Sequence, residues 1–525
     1  MKMFRLVLAI IAFIFIITSV YIHLAKFIPF TIDDAYITFA HTKNYVEGEG
    51  LVFSKDSKIE ATSSFLWALF LIPFEHALPY GAVIGSKVLG IIFVFFILIF
   101  TNLIFYKRNR NIFLSIAASF LIILSSPFMS WAVTGMENSL VALFLILSVF
   151  VFYLETNRKK GYFSAVLVFL LYLSRPEAFM FAIIFAFFRI FYFFVYQDKL
   201  KRWLLTWLAV LILLIGAYEI FGFLYYGYLL PCSAMAKLGI HKSYFVGLNY
   251  LTNYSSFIFT ITFLISLISF TLLIILKLKK DLKKLRLLLI ENSLNFILIA
   301  LISAQFLFII KVGGDWMPNG RFISHIIPLI IILLFEVFIY LFWQIKKRKY
   351  NTLIVNTMTA IVCTAYVFFF VHGNISIYKF AHPQFKHLQQ AEESSLTEMV
   401  NLLNNLTKLK YDTVACSDVG RMSYSYKGKV LDWWGLANIE IATQNMSYGR
   451  LNPNIILSKK PKFIILYSNL PVLDTSAMKK GMARYSKAFA FNKEFNENYQ
   501  QLFSTKFDDE RYHVLFRRVD REEKD

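Results

Sequence analysis

About eleven long apolar segments, separated by short polar connections, limit this chain to one broad architecture. A transmembrane helix needs about 20 apolar residues to cross the hydrocarbon core of a bilayer. The chain is 58% hydrophobic over 525 residues, which is too apolar for a soluble globular domain. We therefore predict a polytopic α-helical membrane protein. The segments lie near residues 3–24, 82–106, 111–128, 138–155, 161–173, 177–196, 202–224, 254–277, 286–310, 322–345 and 351–371.

Lysine and arginine are concentrated in alternate connections between these segments. The positive-inside rule assigns such connections to the cytoplasm. The N-terminus is then cytoplasmic, and an odd number of spans places the C-terminus outside. Much of the +21 net charge is therefore a topology signal, and we expect no nucleic-acid partner. The basic connections are Lys107–Arg110, Arg158–Lys160, Lys199–Arg202, Lys277–Arg286 and Lys346–Lys349.

The two ends of the chain complete this topology. The first segment lacks a small-residue cleavage site before Phe27, which favours a retained anchor over a removed signal peptide. From His372 onward the composition is that of a soluble domain, with short strands predicted at 414–420, 428–431 and 461–467 and a helix at 391–406. We predict a membrane domain at 1–371, with an external loop at 25–81, and an extracytoplasmic α/β domain at 372–525. The expected location is a bacterial inner (plasma) membrane.

Two adjacent carboxylates, Asp33 and Asp34, follow the first apolar segment at the start of a predicted helix. Two acids at a membrane surface cost solvation energy, which makes them functional candidates. Thr31 and Asp34 also have the spacing of a capping box, and acids suit a helix N-terminus. Helix capping and catalysis therefore both remain open for this pair.

Other charged and aromatic residues fall in connections assigned to the same external side. Arg175 and Glu177 form either a local ion pair or part of a binding site, and Trp316 is either a membrane-interface anchor or a substrate contact. An arginine can bind a phosphate through two parallel hydrogen bonds. Aromatic rings and carboxylates suit sugar faces and hydroxyls, so a lipid-phosphate-linked sugar fits the whole set. Its further members are Glu137, Tyr226, Lys237, Asp315 and Arg321.

In these motifs the chain resembles the GT-C superfamily of membrane glycosyltransferases that use polyprenyl-phosphate sugars, most closely the bacterial terminal arabinofuranosyltransferase group. The motifs run in family order over most of the chain. Relatives often have an asparagine after the Leu-Pro, where this chain has Cys232. They often have an apolar residue after the aspartate that corresponds to Asp432, where this chain has Trp433 and Trp434. The matching motifs are Asp33-Asp-Ala-Tyr-Ile-Thr-Phe39, Glu60-Ala-Thr-Ser-Ser-Phe-Leu-Trp67, Gly135-Met-Glu137, Arg175-Pro-Glu177, Tyr226-Gly-Tyr-Leu-Leu-Pro231 with Lys237, Gly313-Gly-Asp-Trp-Met317 with Arg321, Asp418-Val-Gly420, Tyr424 and Leu431-Asp-Trp-Trp-Gly-Leu436.

The resemblance implies transfer of a sugar, such as the pentofuranose arabinose, from a polyprenyl-phosphate donor to an envelope glycan or glycolipid on the external face. From the residue types, Asp33 or Asp34 is the candidate general base. The candidates for binding the donor phosphate are Lys237, Arg321 and Arg175. The candidate substrate contacts are Glu137, Tyr226, Asp315, Trp316, Asp432 and Trp433.

Several alternatives stay open from the sequence. A divalent cation could bridge Asp33, Asp34 and the donor phosphate, although no ligand spacing supports it. Asp432, Trp433 and Trp434 could pack inside the external domain instead of binding the acceptor. A transporter or flippase of lipid-linked sugars, a protein O-glycosyltransferase and a non-catalytic scaffold are the rival functions. A transporter should place ionisable residues near mid-membrane and often shows inverted repeats. In this sequence the distinctive polar groups cluster at one membrane face, and we find no internal repeat.

Overall fold

The computed structural model is predominantly helical, with one mixed β-sheet near the C-terminus. It describes residues 14, 17–55, 57–109, 112–158, 160–196, 201–238, 243–253, 255–278, 285–346, 352–407, 409, 412–444, 452–476, 478 and 483–519. Most of the first predicted span, 3–24, lies outside these ranges. Parts of the basic connections near residues 110, 159, 199, 281–284 and 347–349 also lie outside them.

The described part of the chain contains sixteen helices up to residue 346, in the region where most of the spans are predicted. Their bounds are α1 Asp33–Val46, α2 Phe65–Ala77, α3 Gly81–Asn109, α4 Ile112–Leu124, α5 Ser126–Val133, α6 Asn138–Arg158, α7 Phe163–Tyr172, α8 Ala178–Tyr196, α9 Lys201–Tyr226, α10 Cys232–Leu238, α11 Tyr244–Thr252, α12 Phe257–Leu278, α13 Leu285–Glu291, α14 Ser293–Val312, α15 Arg321–Ser324 and α16 Ile327–Lys346.

Six helices of the described part are long and apolar enough to cross a membrane: α3, α6, α8, α9, α12 and α14. A seventh span results if α4 and α5, which meet at a 66° bend, are counted together. The break has a local cause, since Ser125 caps α5 and Pro127 lies in its first turn. The predicted span 161–173 is only the 10-residue α7, roughly 15 Å long and therefore too short to cross alone. The multi-pass membrane class is confirmed, with six or seven full-length spans among the described residues.

The remaining elements include a five-stranded sheet. Its strands are β1 Thr413–Cys416, β2 Lys429–Asp432, β3 Phe463–Ser468, β4 Tyr499–Lys506 and β5 Tyr512–Arg518, in the spatial order β2-β1-β3-β5-β4. Strand β1 is parallel to β2 and β3, whereas β5 is antiparallel to β3 and β4. The strand-containing C-terminal domain is thus confirmed, and the three predicted strands correspond to β1, β2 and β3. The helices of this part are α17 Thr352–Leu406, α18 Val419–Ser425, α19 Ile439–Thr443, α20 Asn454–Leu457, α21 Ala483–Ala490 and α22 Lys493–Asn498.

The chain forms two compact units that interleave along the sequence. The membrane unit comprises residues 1–29, 87–217 and 242–384, and the sheet unit comprises 30–86, 218–241 and 385–525. The boundary predicted at residue 372 falls inside α17, which runs through it without a break. Most of the loop predicted at 25–81 belongs to the sheet unit, and Ile37, Phe53 and Ala61 share a hydrophobic core with Val414 and Leu515.

Candidate functional site

The candidate base Asp33 lies in the sheet unit, at the first turn of α1. Its two carboxylate oxygens accept hydrogen bonds from the backbone amides of Gly420 at 3.0 Å and Arg421 at 2.7 Å. Both amides belong to the first turn of α18. Lys43 Nζ also donates to the Tyr424 carbonyl at 2.7 Å, so α1 and α18 are joined at two points.

This arrangement changes the interpretation of Asp33 as a helix cap. Ile32 is the N-cap residue of α1, and no side chain caps the helix. The Asp33 carboxylate is instead directed to the amides of a distant segment. The capping-box prediction for Thr31 and Asp34 is wrong, because the N-cap residue is Ile32, one position after Thr31, and no side chain caps the helix. Asp34 is half-buried and lies beside it in the same turn.

The surroundings of Asp33 raise its affinity for a proton. Burial, followed by the negative charge of Asp418, raises the pKa of Asp33 to about 7, although the Arg421 amide opposes the shift. Burial likewise raises the pKa of Glu392, with Asp33 as the largest charged contributor. A carboxylate with a pKa near neutrality is suited to act as a general base.

The predicted divalent metal at Asp33 and Asp34 is not supported by this donor set. Each Asp33 oxygen already accepts a backbone N–H, and the Arg421 guanidinium lies over the adjacent Tyr36 ring. Among the described residues, no group of three His, Cys, Asp or Glu side chains is placed to hold a metal ion. The cation shared by Asp33, Asp34 and the donor phosphate therefore stays a prediction, and no step below depends on it.

A second charged cluster lies in the membrane unit and contains Arg175. Its Nη1 donates to Glu137 Oε1 at 2.6 Å, and its Nε donates to Glu177. All three side chains are almost fully buried. Burial alone would raise the pKa of Glu177, but the Arg175 guanidinium overcomes it and the net shift is downward. The local ion pair considered for Arg175 and Glu177 is thus present, and Glu137 extends it.

Arg321 forms a separate ion pair in this unit, with its Nε 2.5 Å from Asp315 Oδ2. The preceding loop is shaped by left-handed glycines, and a Cβ on Gly314 would lie 2.5 Å from the Tyr250 ring. The Tyr250 hydroxyl in turn accepts from the Phe322 amide at 3.1 Å. The left-handed backbone and the close approach of Tyr250 therefore require glycine at position 314. Trp316 is 66% exposed, which leaves both of its interpretations open.

The remaining predicted contacts occupy varied environments in the sheet unit. Tyr226 is buried and donates to the Leu51 carbonyl at 2.8 Å, whereas Lys237 is exposed on α10. Trp433 is 1% exposed and donates to the Ile465 carbonyl. The Asp432 carboxylate accepts from the amides of Trp434 and Ala437 within its own loop.

The structure thus favours packing over acceptor binding for two of these residues. Trp433 lies in a hydrophobic core beside Ile464 and Phe489. Asp432 is fully buried, and burial raises its pKa to about 6 although its loop amides lower it. The predicted contact of Asp432 and Trp433 with substrate is corrected for the conformation seen here, because neither side chain is accessible.

Two groups of site residues were missed by the sequence analysis. His325, four residues after Arg321, is buried, and neither ring nitrogen has a hydrogen-bond partner among the described residues. Burial and the Arg175 charge lower the pKa of His325 to about 3, so it is neutral. The sequence signal that could have identified His325 was its spacing of four residues, about one helical turn, from Arg321. The amides of Gly420 and Arg421 gave none, because backbone groups carry no side-chain signature.

The fold of this chain is similar to the folds of two solved membrane proteins. The oligosaccharyltransferase of Archaeoglobus fulgidus in its apo form aligns with a TM-score of 0.51 at 11% identity, covering 86% of this chain and 69% of its own. ArnT from Cupriavidus metallidurans, solved with undecaprenyl phosphate, aligns with a TM-score of 0.52 at 9% identity, covering 97% of each chain.

Sequence comparison gives a consistent result over part of the chain. A terminal β-(1→2)-arabinofuranosyltransferase of Mycobacterium tuberculosis is 26% identical over 243 residues. The match covers 42% of this chain and 37% of that protein, so it spans less than half of the curated relative. A family model described as a domain of unknown function, DUF8728, matches residues 383–516. The fold of the chain is therefore similar to the folds of ArnT and of the archaeal oligosaccharyltransferase, and part of its sequence is similar to that of a terminal arabinofuranosyltransferase.

Proposed function

We propose that this protein transfers a sugar from a polyprenyl-phosphate donor to a hydroxyl of a cell-envelope glycan or glycolipid, with Asp33 as the general base. The observation that carries the proposal is the environment of Asp33, a half-buried carboxylate oriented by two backbone amides. The similarity to an arabinofuranosyltransferase supports a sugar substrate. The structural neighbour ArnT binds undecaprenyl phosphate, which supports a lipid-linked donor.

The proposed step balances with the groups of the chain and the two substrates. The acceptor hydroxyl oxygen forms a bond to the anomeric carbon while Asp33 removes its proton. The bond between the anomeric carbon and the phosphate oxygen breaks, and the electron pair stays on the phosphate. General-base catalysis of this kind contributes roughly 10²- to 10⁴-fold to the rate.

Charge that develops on the leaving phosphate needs cationic donors, and Arg321, Arg175 and Lys237 are the proposed ones. Arg175 and Arg321 are already paired with Glu137, Glu177 and Asp315. A guanidinium carries five N–H donors, so either arginine can bind phosphate oxygens without releasing its carboxylate. Glu137, Glu177 and Asp315 also attract these guanidinium groups, so the donor phosphate shares their positive charge with three buried acids.

The donor sugar and the side of the membrane belong to the same proposal. We infer a pentofuranose such as arabinose from the similarity to the mycobacterial transferase. The distribution of basic connections favours an extracytoplasmic sheet unit and therefore transfer on the external face. Two alternatives remain: the protein transports lipid-linked sugars, or it transfers the sugar to a protein hydroxyl.

The test is a transfer assay with the purified protein in lipid, using a panel of polyprenyl-phosphate pentoses and hexoses with crude envelope glycans. We expect a new glycosidic linkage, detected by mass spectrometry, with a pentose donor preferred over hexoses. Preference for a hexose would overturn the sugar assignment alone. An absence of transfer with every donor, together with flipping of a labelled lipid-linked sugar, would replace the enzyme by a transporter.

A further inference from the structure

Asp418 connects the sheet to the turn that holds Asp33, and the catalytic scheme does not use it. It lies two residues after the end of β1. Its carboxylate accepts from His513 Nε2 of β5 at 2.9 Å and from the Tyr467 hydroxyl of β3. His513 Nδ1 lies 2.7 Å from the Ser395 hydroxyl of α17. Ser395 and His513 are fully buried, whereas the Asp418 side chain is 23% exposed.

Each ring nitrogen of His513 has one side-chain partner. In the tautomer with the proton on Nε2, the ring donates to Asp418 and accepts the Ser395 hydroxyl proton at Nδ1. Each polar group of His513 is then satisfied, as buried polar groups generally are. Asp418 is thereby held from two strands and, through His513, from a helix.

The backbone that follows Asp418 carries the amides bonded to Asp33. Asp418 is the N-cap residue of α18, but its side chain does not cap that helix, because it is bonded to Tyr467 and His513 instead. The next turn presents the Gly420 and Arg421 amides to Asp33. Movement of Asp418 would therefore move both donors that orient the carboxylate.

The strand order explains why this contact lies where it does. Strand β1 lies between β2 and β3 and is parallel to both, so their carboxyl ends share one edge. The chain leaves β1 toward β2 and then crosses to β3 on the other side. Such a switch point opens a crevice at the carboxyl ends of the strands, where ligands commonly bind. Here Asp418 bridges β1 to β3 and β5, and Asp33 of α1 is bonded to the turn that follows Asp418.

We propose that Asp418, anchored by His513 and Tyr467, is a positioning residue that orients Asp33 for the transfer step through the amides of Gly420 and Arg421. This inference rests on the proposed function of Asp33 as the base. Asp418 need not touch the substrate. Its role is to hold the first turn of α18 where the two amides meet the two carboxylate oxygens.

The test compares Asp418→Ala with Asp418→Asn and with Asp412→Ala as a matched control. Asparagine keeps an oxygen that accepts from Tyr467 and His513, whereas alanine removes it. Asp412 also has a carboxylate held by another side chain, since Lys462 lies 2.7 Å away. It is more buried than Asp418 and lies before β1, at the opposite end of the strand. Asp412→Ala therefore reproduces the loss of a bonded carboxylate without touching the Asp33 contact.

We expect Asp418→Ala to lower kcat by roughly 10- to 100-fold, the scale of loss from a small misplacement of a catalytic group, with KM unchanged. Asp418→Asn should recover most of that loss, and Asp412→Ala should keep nearly the wild-type kcat. Equal effects of Asp418→Ala and Asp412→Ala would mean that Asp418 only stabilises the domain, and the inference would be overturned.

Hydrogen exchange provides a measurement that does not depend on turnover. The amides of Gly420 and Arg421 should exchange faster in Asp418→Ala than in Asp412→Ala or wild type, in a peptide that covers residues 419–425. Unchanged protection would overturn the positioning role even if the protein transfers sugar. Faster exchange without any transfer activity would leave the structural link standing and reject the proposed function.

A variant that does not fold is recognised by its loss of a monodisperse peak in size-exclusion chromatography. If Asp418→Ala fails in this way, His513→Ala and His513→Gln replace it. The glutamine amide can donate from a position close to Nε2, so it should restore kcat and amide protection relative to alanine. Equal behaviour of the two variants would overturn the inference.

Discussion

At the scale of single residues, the protonation of Asp33 makes a prediction about pH. Burial and the Asp418 charge raise the pKa of Asp33 to about 7, so it holds its proton below that pH. A general base must be ionised, and kcat should therefore rise as pH increases through about 7 and level off above it. A kcat that is flat between pH 5.5 and 8.5, measured with saturating donor, would contradict Asp33 as the base.

Arg175 carries the largest predicted effect on stability. Its removal leaves Glu137 and Glu177 buried without their cation, which typically costs about 3–5 kcal/mol. We expect Arg175→Gln to lower the thermal midpoint of the protein in lipid strongly. The triple variant with Glu137→Gln and Glu177→Gln should recover part of the loss. The exposed Lys506, which pairs with Asp509, is the control, and Lys506→Ala should shift the midpoint little.

At the scale of elements, the contact between α1 and α18 depends on a glycine. A Cβ on Gly420 would lie 1.9 Å from the Asp33 carbonyl oxygen, so one of the two helices must move. We expect Gly420→Ala to reduce kcat and to raise exchange of the α18 amides. Gly216→Ala, which meets nothing within 4 Å, should leave both unchanged. Wild-type kinetics for Gly420→Ala would show that the docking of α18 is not required.

The individual elements also show what the sequence could and could not predict. The apolar helices and strands β1, β2 and β3 were predictable because their hydrophobic runs are bounded by Gly, Pro or Asp. Strands β4 and β5 were not, because Gln500, Gln501 and two arginines interrupt their apolar pattern. Asp33 was predictable as an unusual acid pair, but its partners Gly420 and Arg421 lie 387 and 388 residues away.

At the scale of the whole molecule, the interleaved units were hidden from the sequence. Hydropathy separates spans from soluble segments, but it does not reveal that the loop carrying Asp33 shares a core with β1 and β5. The fold class followed from composition because lipid exposure constrains composition strongly. The division into units depends on long-range packing, to which local pattern is insensitive.

The proposed topology can be tested by cysteine labelling of intact cells. Asp509 has a side chain that is 90% exposed, and Arg158 lies exposed in a connection predicted to be cytoplasmic. Cys232 and Cys416 are buried and should contribute little background. An impermeant maleimide should label Asp509→Cys from outside and Arg158→Cys only after lysis. The reverse pattern would contradict the external location of the sheet unit.

The central claim, that Asp33 removes the acceptor proton during sugar transfer, is tested most directly by single-turnover transfer from a polyprenyl-phosphate sugar with Asp33→Asn. Asparagine preserves the shape of the side chain but cannot take the proton. The account predicts a rate lower by roughly 10²- to 10⁴-fold, with donor binding retained and with the exposed Asp509→Asn control at the wild-type rate. A wild-type transfer rate in folded Asp33→Asn would contradict it.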